Sequence, residues 1–243
     1  LFAVPWHNKV IVGTTDTAVN KTAIEPTATA EEINFIIENF NSYTAVPITT
    51  NDVLSVFTGL RPLIKKAGVK GTAALNRHHA VFVSPSGLIT VTGGKWTTYR
   101  KMAEDAVNKA TQQLPTQKEC VTASLRIHGY TTEKNATHTA LYGSDAIVIE
   151  RLWKENESWI QKIHPAYSFT KAEVIFAVRN EMAQTVEDVL SRRMRLLFLD
   201  ARAATECTMT VAQLIAQELR HDENWIQQQV NEFTQLAKQY LLS

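Results

Sequence analysis

One change of hydrophobic period constrains the fold of this chain more than any other feature. In GLITVTGGKWTTYRKMAEDAV (87–107), Ile89 and Val91 alternate with Thr90 and Thr92. Two glycines and a lysine then intervene, and the residues that follow take helical spacing. Alternation is the period of a half-buried strand, and 3.6 that of an amphipathic helix. A chain that switches from one to the other across Gly93-Gly94 must hold strand and helix in one body.

Upstream of the switch the pattern is β with interruptions. LFAVPW and KVIVGTTD flank the polar pair His7-Asn8 and predict a hairpin. In TATAEEINFIIENFNSY, Thr29 and Glu32 make a capping box, and Ile33, Ile36, Ile37 and Phe40 fall on one helical face. DVLSVFTGLRPL (52–63) reads as a strand, and HAVFVS with LITVTG as a second hairpin turning at Pro85 and Gly87. Downstream, one helix is expected over 97–114, ending before Pro115, and little strand signal follows beyond ECVTASLRIHG (119–129). Helices are expected from Ser144 or Asp145, from Thr170 with its capping partner Glu173, and from Thr185 through TVEDVLSRRMRLLFL. Two more cover TVAQLIAQELR and the stretch after Asp222. The expected class is α+β. Residues 1–116 read as the C-terminal part of a mixed-sheet domain and 117–243 as an all-helical domain. Because LFAVPW already lies inside a strand-like pattern with no initiating Met, the chain reads as a piece of something longer.

Composition narrows the function classes. With 25 basic and 24 acidic residues the net charge is +1, which gives no electrostatic footprint for nucleic acid. No apolar run approaches the roughly 20 residues of a membrane-spanning helix. Cys120 and Cys207 make neither a disulfide framework nor a zinc site, so no metal is expected, and both read as reduced, buried thiols of a cytoplasmic protein.

Two constellations carry chemistry. A strand that enters a helix through Gly-Gly leaves backbone N–H groups at the helix start, and their partial positive charge suits an anion or an electron-rich carbonyl. Lys95 adds a full charge there; the plainer alternative is a tight turn with Lys95 solvated and Thr97 capping. In FTGLRPL, Arg61 can fork onto a carboxylate or phosphate, or stand as an exposed loop arginine. Arg77, in NRHH, has the same two readings, and His78 and His79 suit a pocket or a surface equally. SRRMR (191–195) and LDARAA (199–204) read as charges along a buried helix, ion-paired to Glu187, Asp188 and Asp200. There is no GxGxxG, Walker lysine loop, HExxH or GxSxG, so the pyrophosphate site of any bound dinucleotide would lie outside these residues.

Taken together, TGLRPL and GLITVTGGKWTTYRKMAEDAV resemble the FAD-dependent glycerol-3-phosphate dehydrogenases. PWHNKVIVGTTDT is similar to that family's paired strands, and EVIFAVRNEMAQTVEDVLSRRMRLLFLDARAA to its C-terminal helical domain. The resemblance covers essentially the whole chain and implies the C-terminal portion of such an enzyme, without its GxGxxG half.

The resemblance also assigns roles. Gly93, Gly94, Lys95, Trp96 and Thr97 would face the FAD isoalloxazine, with the positive helix end by flavin N1 and the C2 carbonyl. Arg61, Arg77 and Lys95 would hold the phosphate of sn-glycerol 3-phosphate, with Arg61 and Lys95 also acting in catalysis. Hydride would pass from substrate C2 to flavin N5, giving dihydroxyacetone phosphate, and electrons would go on to a quinone or, in related oxidases, to oxygen. The implied setting is cytoplasmic, peripheral on the inner face of the cell membrane. A different class remains open, a non-catalytic helical interaction module. Self-association as a homodimer is expected of the strand-rich surface.

Overall fold

The computed structural model describes residues 1–61, 78–112, 114–115, 118–133 and 137–242. The described residues group into two compact units. One comprises Leu1–Thr17, Thr22–Gly59 and Gly129–Ser243, the other Ala18–Lys21 and Leu60–His128.

In the first unit, strands β1 (Phe2–Trp6) and β2 (Lys9–Gly13) form the expected antiparallel hairpin. Its two-residue turn puts His7 at φ 47° and Asn8 at φ 61°. A two-residue hairpin turn with both φ positive matches the twist of the strands, and Asn tolerates that conformation. Helix α1 (Ala30–Asn41) starts at the predicted capping box, Glu32 N–H donating to Thr29 Oγ1 (3.3 Å) and Thr29 N–H to Glu32 Oε2 (3.0 Å). Glu32 also accepts from Thr15 and Thr17 Oγ1, and these bonds, that from Thr17 foremost, hold its carboxyl below the usual range. Ile33, Ile36, Ile37 and Phe40 are half-buried on one face.

The core of this unit is helical. A short 3-10 stretch (His138–Asp145) leads into α3 (Ala146–Glu155), and α4 (Lys171–Asn180) follows from the Thr170–Glu173 box. A turn of π-helix (Asp188–Arg193) and the short α5 (Leu196–Leu199) precede the long pair α6 (Ala201–Leu219) and α7 (Glu223–Lys238). Ile149, Ile175, Leu190, Leu197, Val211 and Ile215 are fully buried among them. Glu173 is buried with them, 1% exposed, and accepts from Thr170 N–H (2.6 Å), Thr170 Oγ1 (3.0 Å), Tyr142 Oη (3.0 Å) and His138 Nε2 (3.2 Å). A buried carboxylate is tolerable when its lone pairs are this fully used.

Three expectations about this unit need correction. Residues 53–59, and Leu60 and Arg61 of the second unit after them, form no strand. Val53, Leu54 and Val56 are half-buried. They lie against the helices, tied by Ala201 N–H to Leu54 O (3.1 Å), Ser55 Oγ to Leu197 O (2.8 Å) and Val56 N–H to Tyr240 O (2.8 Å). Bonding to helix ends replaces bonding to a neighbouring strand. Second, 185–199 is not one helix. Val189, Leu190, Met194, Leu196, Leu197 and Leu199 are all buried, and no single helical stripe could bury all six. The chain instead inserts a π turn closed by Met194 N–H to Val189 O (2.9 Å), then passes through Arg195 at φ 60°. Third, Asp200 is the N-cap of α6, accepting from Arg202 and Ala203 N–H, so that helix begins well before Thr210. The predicted ion pairs to Glu187 and Asp188 are present, from Arg192 (2.6 Å) and Arg193 (3.3 Å), whereas Asp200 takes the Tyr167 hydroxyl (2.9 Å).

The second unit holds β3 (Ala80–Val83) and β4 (Ile89–Thr92), again an antiparallel hairpin, and α2 (Tyr99–Thr111). No described residue of this unit is fully buried. Residues 119–129 are turns and irregular backbone rather than strand, with Leu125 N–H folding back on Val121 O (3.1 Å). Cys120 is exposed, which corrects the expectation of burial, while Cys207 is buried and its thiol is pushed up to about 12 by desolvation.

Candidate functional site

The expected junction forms inside the second unit. β3 and β4 pair in register from Ala80↔Thr92 to Val83↔Ile89, and the tight end of the hairpin is closed by Gly87 N–H to Ser84 O (2.9 Å). At the open end β4 runs into Gly93 (φ 74°) and Gly94 (φ 82°). Glycine enters the left-handed region at both positions without the steric cost that a Cβ would add. At Gly94 the surroundings are close as well: a Cβ there would lie 2.5 Å from Met102 Sδ and 3.1 Å from His79 Cβ.

Beyond Lys95 the backbone makes one 3-10 turn (Trp96–Thr98) before α2, so the helix proper begins at Tyr99 rather than at 97. The capping hydroxyl belongs to Thr98, not Thr97. Lys95 N–H donates to Thr98 Oγ1 (3.2 Å), and Thr98 returns both its N–H and its hydroxyl to Lys95 O (2.9 Å each). The N–H groups of Trp96 and Thr97 donate to no described residue. Lys95, Trp96 and Thr97 are exposed, Trp96 at 87%, and the Trp96 and Tyr99 rings lie 5.7 Å apart.

The charges of α2 are mostly paired with one another. Arg100 meets Glu104 at 2.6 Å and Thr122 Oγ1 at 3.1 Å, and Lys101 bridges Glu104 and Asp105, both at 2.9 Å. Hydrogen bonds from Lys101 and Arg100 hold the Glu104 carboxyl low, and those from Lys101 and His79 do the same for Asp105. Lys95 makes no ion pair with any described residue, so its charge is available at the turn.

The structure thus brings Gly93, Gly94, Lys95, Trp96 and Thr97 together as one turn, half-buried at the glycines and exposed from Lys95 on. Arg61 lies in the same unit, exposed, on irregular backbone rather than at a strand end. Arg77 lies outside the described residues. His79 was left undecided between pocket and surface, yet it abuts Gly94 and bonds Asp105 (2.8 Å). Counting the hairpin register back one residue from Ala80↔Thr92 would have set His79 opposite Gly93. Among the described residues no cluster of His, Cys, Asp and Glu could hold a metal ion, and no helix is long and apolar enough to cross a membrane.

Comparison with known proteins gives the turn a context. The family model of the C-terminal domain of alpha-glycerophosphate oxidase matches residues 88–226, more than half of the 243-residue chain. A probable mitochondrial glycerol-3-phosphate dehydrogenase of Caenorhabditis elegans is 38% identical over 90% of this chain and 34% of its own length. The human mitochondrial glycerol-3-phosphate dehydrogenase is 33% identical over 95% of this chain and 35% of its own. A crystal structure of the glycerol-3-phosphate dehydrogenase from Bacillus halodurans, complexed with FAD, superposes with a TM-score of 0.79 at 27% identity, covering 98% of this chain and 50% of that one. The chain therefore spans about a third of the two curated relatives and half of the solved structure. The matched model begins at Leu88, in the approach to the glycine pair, and runs through the helical core into α7. This chain belongs to the family of the C-terminal domain of alpha-glycerophosphate oxidase.

Proposed function

We propose that this chain is the C-terminal portion of a flavoenzyme that oxidises sn-glycerol 3-phosphate to dihydroxyacetone phosphate and passes the electrons to a quinone. The observation that carries the reading is the Gly93-Gly94-Lys95 turn at the head of α2, in a chain similar to an FAD-bound glycerol-3-phosphate dehydrogenase. FAD, when bound, supplies the two-electron acceptor, taking hydride from substrate C2 at its N5.

The residues present fit such a group. The glycine pair lacks side chains, so a planar ring can approach the backbone closely. The Trp96 and Thr97 N–H groups and the α2 dipole offer positive potential to a ring that gains negative charge on reduction. Lys95 sits where a full positive charge strengthens that effect, and exposed Trp96 supplies apolar surface. Arg61, Arg77 and Lys95 together would neutralise the substrate phosphate and orient its C2. A cation beside the C2 hydroxyl favours the alkoxide and so eases loss of its proton.

Residues 1–116 are assigned to the FAD- and substrate-binding domain and 117–243 to the helical domain. The compact units divide the chain at different points because Leu1–Thr17 and Thr22–Gly59 share a unit with the helical core. Peripheral attachment to the inner face of the cell membrane from the cytoplasm, and a homodimer, complete the proposal.

The family model's own description, an oxidase, favours a second reading in which oxygen is the acceptor. Turnover of the full-length protein with glycerol 3-phosphate separates the two. Quinone reduction without peroxide supports the dehydrogenase, stoichiometric peroxide the oxidase, and no turnover with either acceptor refutes both.

A further inference from the structure

We propose that His79 and Asp105 form a strut that positions the Gly93-Gly94-Lys95 turn, with His79 acting through the turn rather than on substrate. The consequence for a flavin rests on the function proposed above; the strut itself does not.

Two contacts and the hairpin register place it. His79 is the residue immediately before β3, and the β3–β4 register, extended by one pair, sets it opposite Gly93. Its Cβ would lie 3.1 Å from a Cβ built on Gly94, so it packs directly against the left-handed turn. Its Nε2 reaches Asp105 Oδ2 at 2.8 Å, across to α2. Asp105 lies three residues after Met102, on the same helical face, and Met102 Sδ closes the other side of Gly94. The six residues from Gly93 to Thr98 thus join β4 to α2, and His79, next to β3, is bonded to the same helix through Asp105.

The chemistry of the link is determined. Hydrogen bonds from Lys101 and His79 keep Asp105 ionised, and an ionised carboxylate only accepts. His79 Nε2 therefore carries the proton, which fixes the tautomer and the plane of the ring. Lys101, 2.9 Å from Asp105 Oδ1, anchors the carboxylate from one turn earlier on α2. A charge-assisted bond is the strong kind, and no described residue of this unit is fully buried. The strut thus acts with the Lys95–Thr98 hydrogen bonds and the Met102 contact at Gly94 to constrain where Lys95 and the N–H groups after it point.

The test uses two bonded amides of the turn, Lys95 N–H to Thr98 Oγ1 and Thr98 N–H to Lys95 O. In this chain, His79→Ala should speed hydrogen exchange at both about tenfold, the loss expected of one hydrogen bond to a charged partner, and leave α6 amides unchanged. His79→Gln, which can still donate to Asp105, should recover most of the protection. Should His79→Ala unfold the unit, Asp105→Asn provides the graded case: it keeps an acceptor without charge and should give about a threefold effect. In the full-length holoprotein the alanine variant should shift the flavin absorption band and midpoint potential without changing the thermal midpoint, and the glutamine variant should not. Unchanged exchange in His79→Ala, or equal effects from alanine and glutamine, overturns the strut. A wild-type full-length protein that holds no flavin overturns the proposed function, and the exchange result still decides the strut.

Discussion

Gly94→Ala is the substitution from which the geometry of the turn predicts most. Alanine at φ 82° enters the left-handed region at a cost of about 1–2 kcal/mol. Its methyl would also stand 2.5 Å from Met102 Sδ and 3.1 Å from His79 Cβ, overpacking worth about 1–3 kcal/mol more. The Met102 side chain is flexible and can yield, whereas His79 is tied to Asp105 and cannot without breaking that bond. The total, about 2–5 kcal/mol, is large for a unit in which no described residue is fully buried. Hydrogen exchange of peptides covering 88–112 should accelerate at least about 30-fold, or reach the unprotected limit, while α4 and α6 keep their protection. Adding Met102→Ala should relieve the clash on one side and leave the backbone strain, so the double variant should exchange more slowly than Gly94→Ala alone. Exchange in Gly94→Ala within about threefold of the wild type refutes the reasoning.

Other outcomes follow from the same structure. Glu173→Ala removes the acceptor of four hydrogen bonds in the helical core and should lower its stability to urea by about 3 kcal/mol; a loss under about 1 kcal/mol contradicts the assigned network. The Glu173 carboxylate raises the pKa of His138 above 6.5, while burial and Lys162 oppose this. A raised folded value means that the stabilisation is fully present below pH 6.5 and is lost as pH rises through the folded pKa. Thermal midpoints across that window should fall for the wild type and stay flatter for His138→Gln. In the full-length enzyme Lys95→Met should lower kcat/KM for glycerol 3-phosphate about 100-fold with flavin content retained; equal loss of flavin would leave Lys95 its cofactor-facing role and contradict its catalytic one.

Local signals in the sequence carried far, and tertiary ones did not. Both hairpins and both capping boxes rest on contacts within a few residues, so His7-Asn8, Thr29 with Glu32 and Thr170 with Glu173 were readable directly. Residues 53–61 have a strand's composition, but Leu54 and Val56 bond to Ala201 and Tyr240 at helix ends and to no neighbouring strand. The π turn at Asp188–Arg193 was hidden for a related reason: burying leucines on several faces of one segment needs a register change that periodicity cannot express. At the site, the glycine pair is legible because positive φ leaves a mark on sequence, and Lys95 because it adds a full charge next to that pair. His79 with Asp105 did not, since the pair meets only once hairpin register and helix phase are both known.

The central claim is that the turn at Gly93-Gly94-Lys95 serves a flavin that glycerol 3-phosphate reduces. The most direct measurement is the absorbance of the full-length protein under anaerobic conditions, titrated with glycerol 3-phosphate. A yellow protein whose flavin band bleaches with one equivalent of substrate per site is the predicted result. A protein that binds flavin but does not bleach contradicts the substrate, and one that binds no flavin contradicts the claim itself.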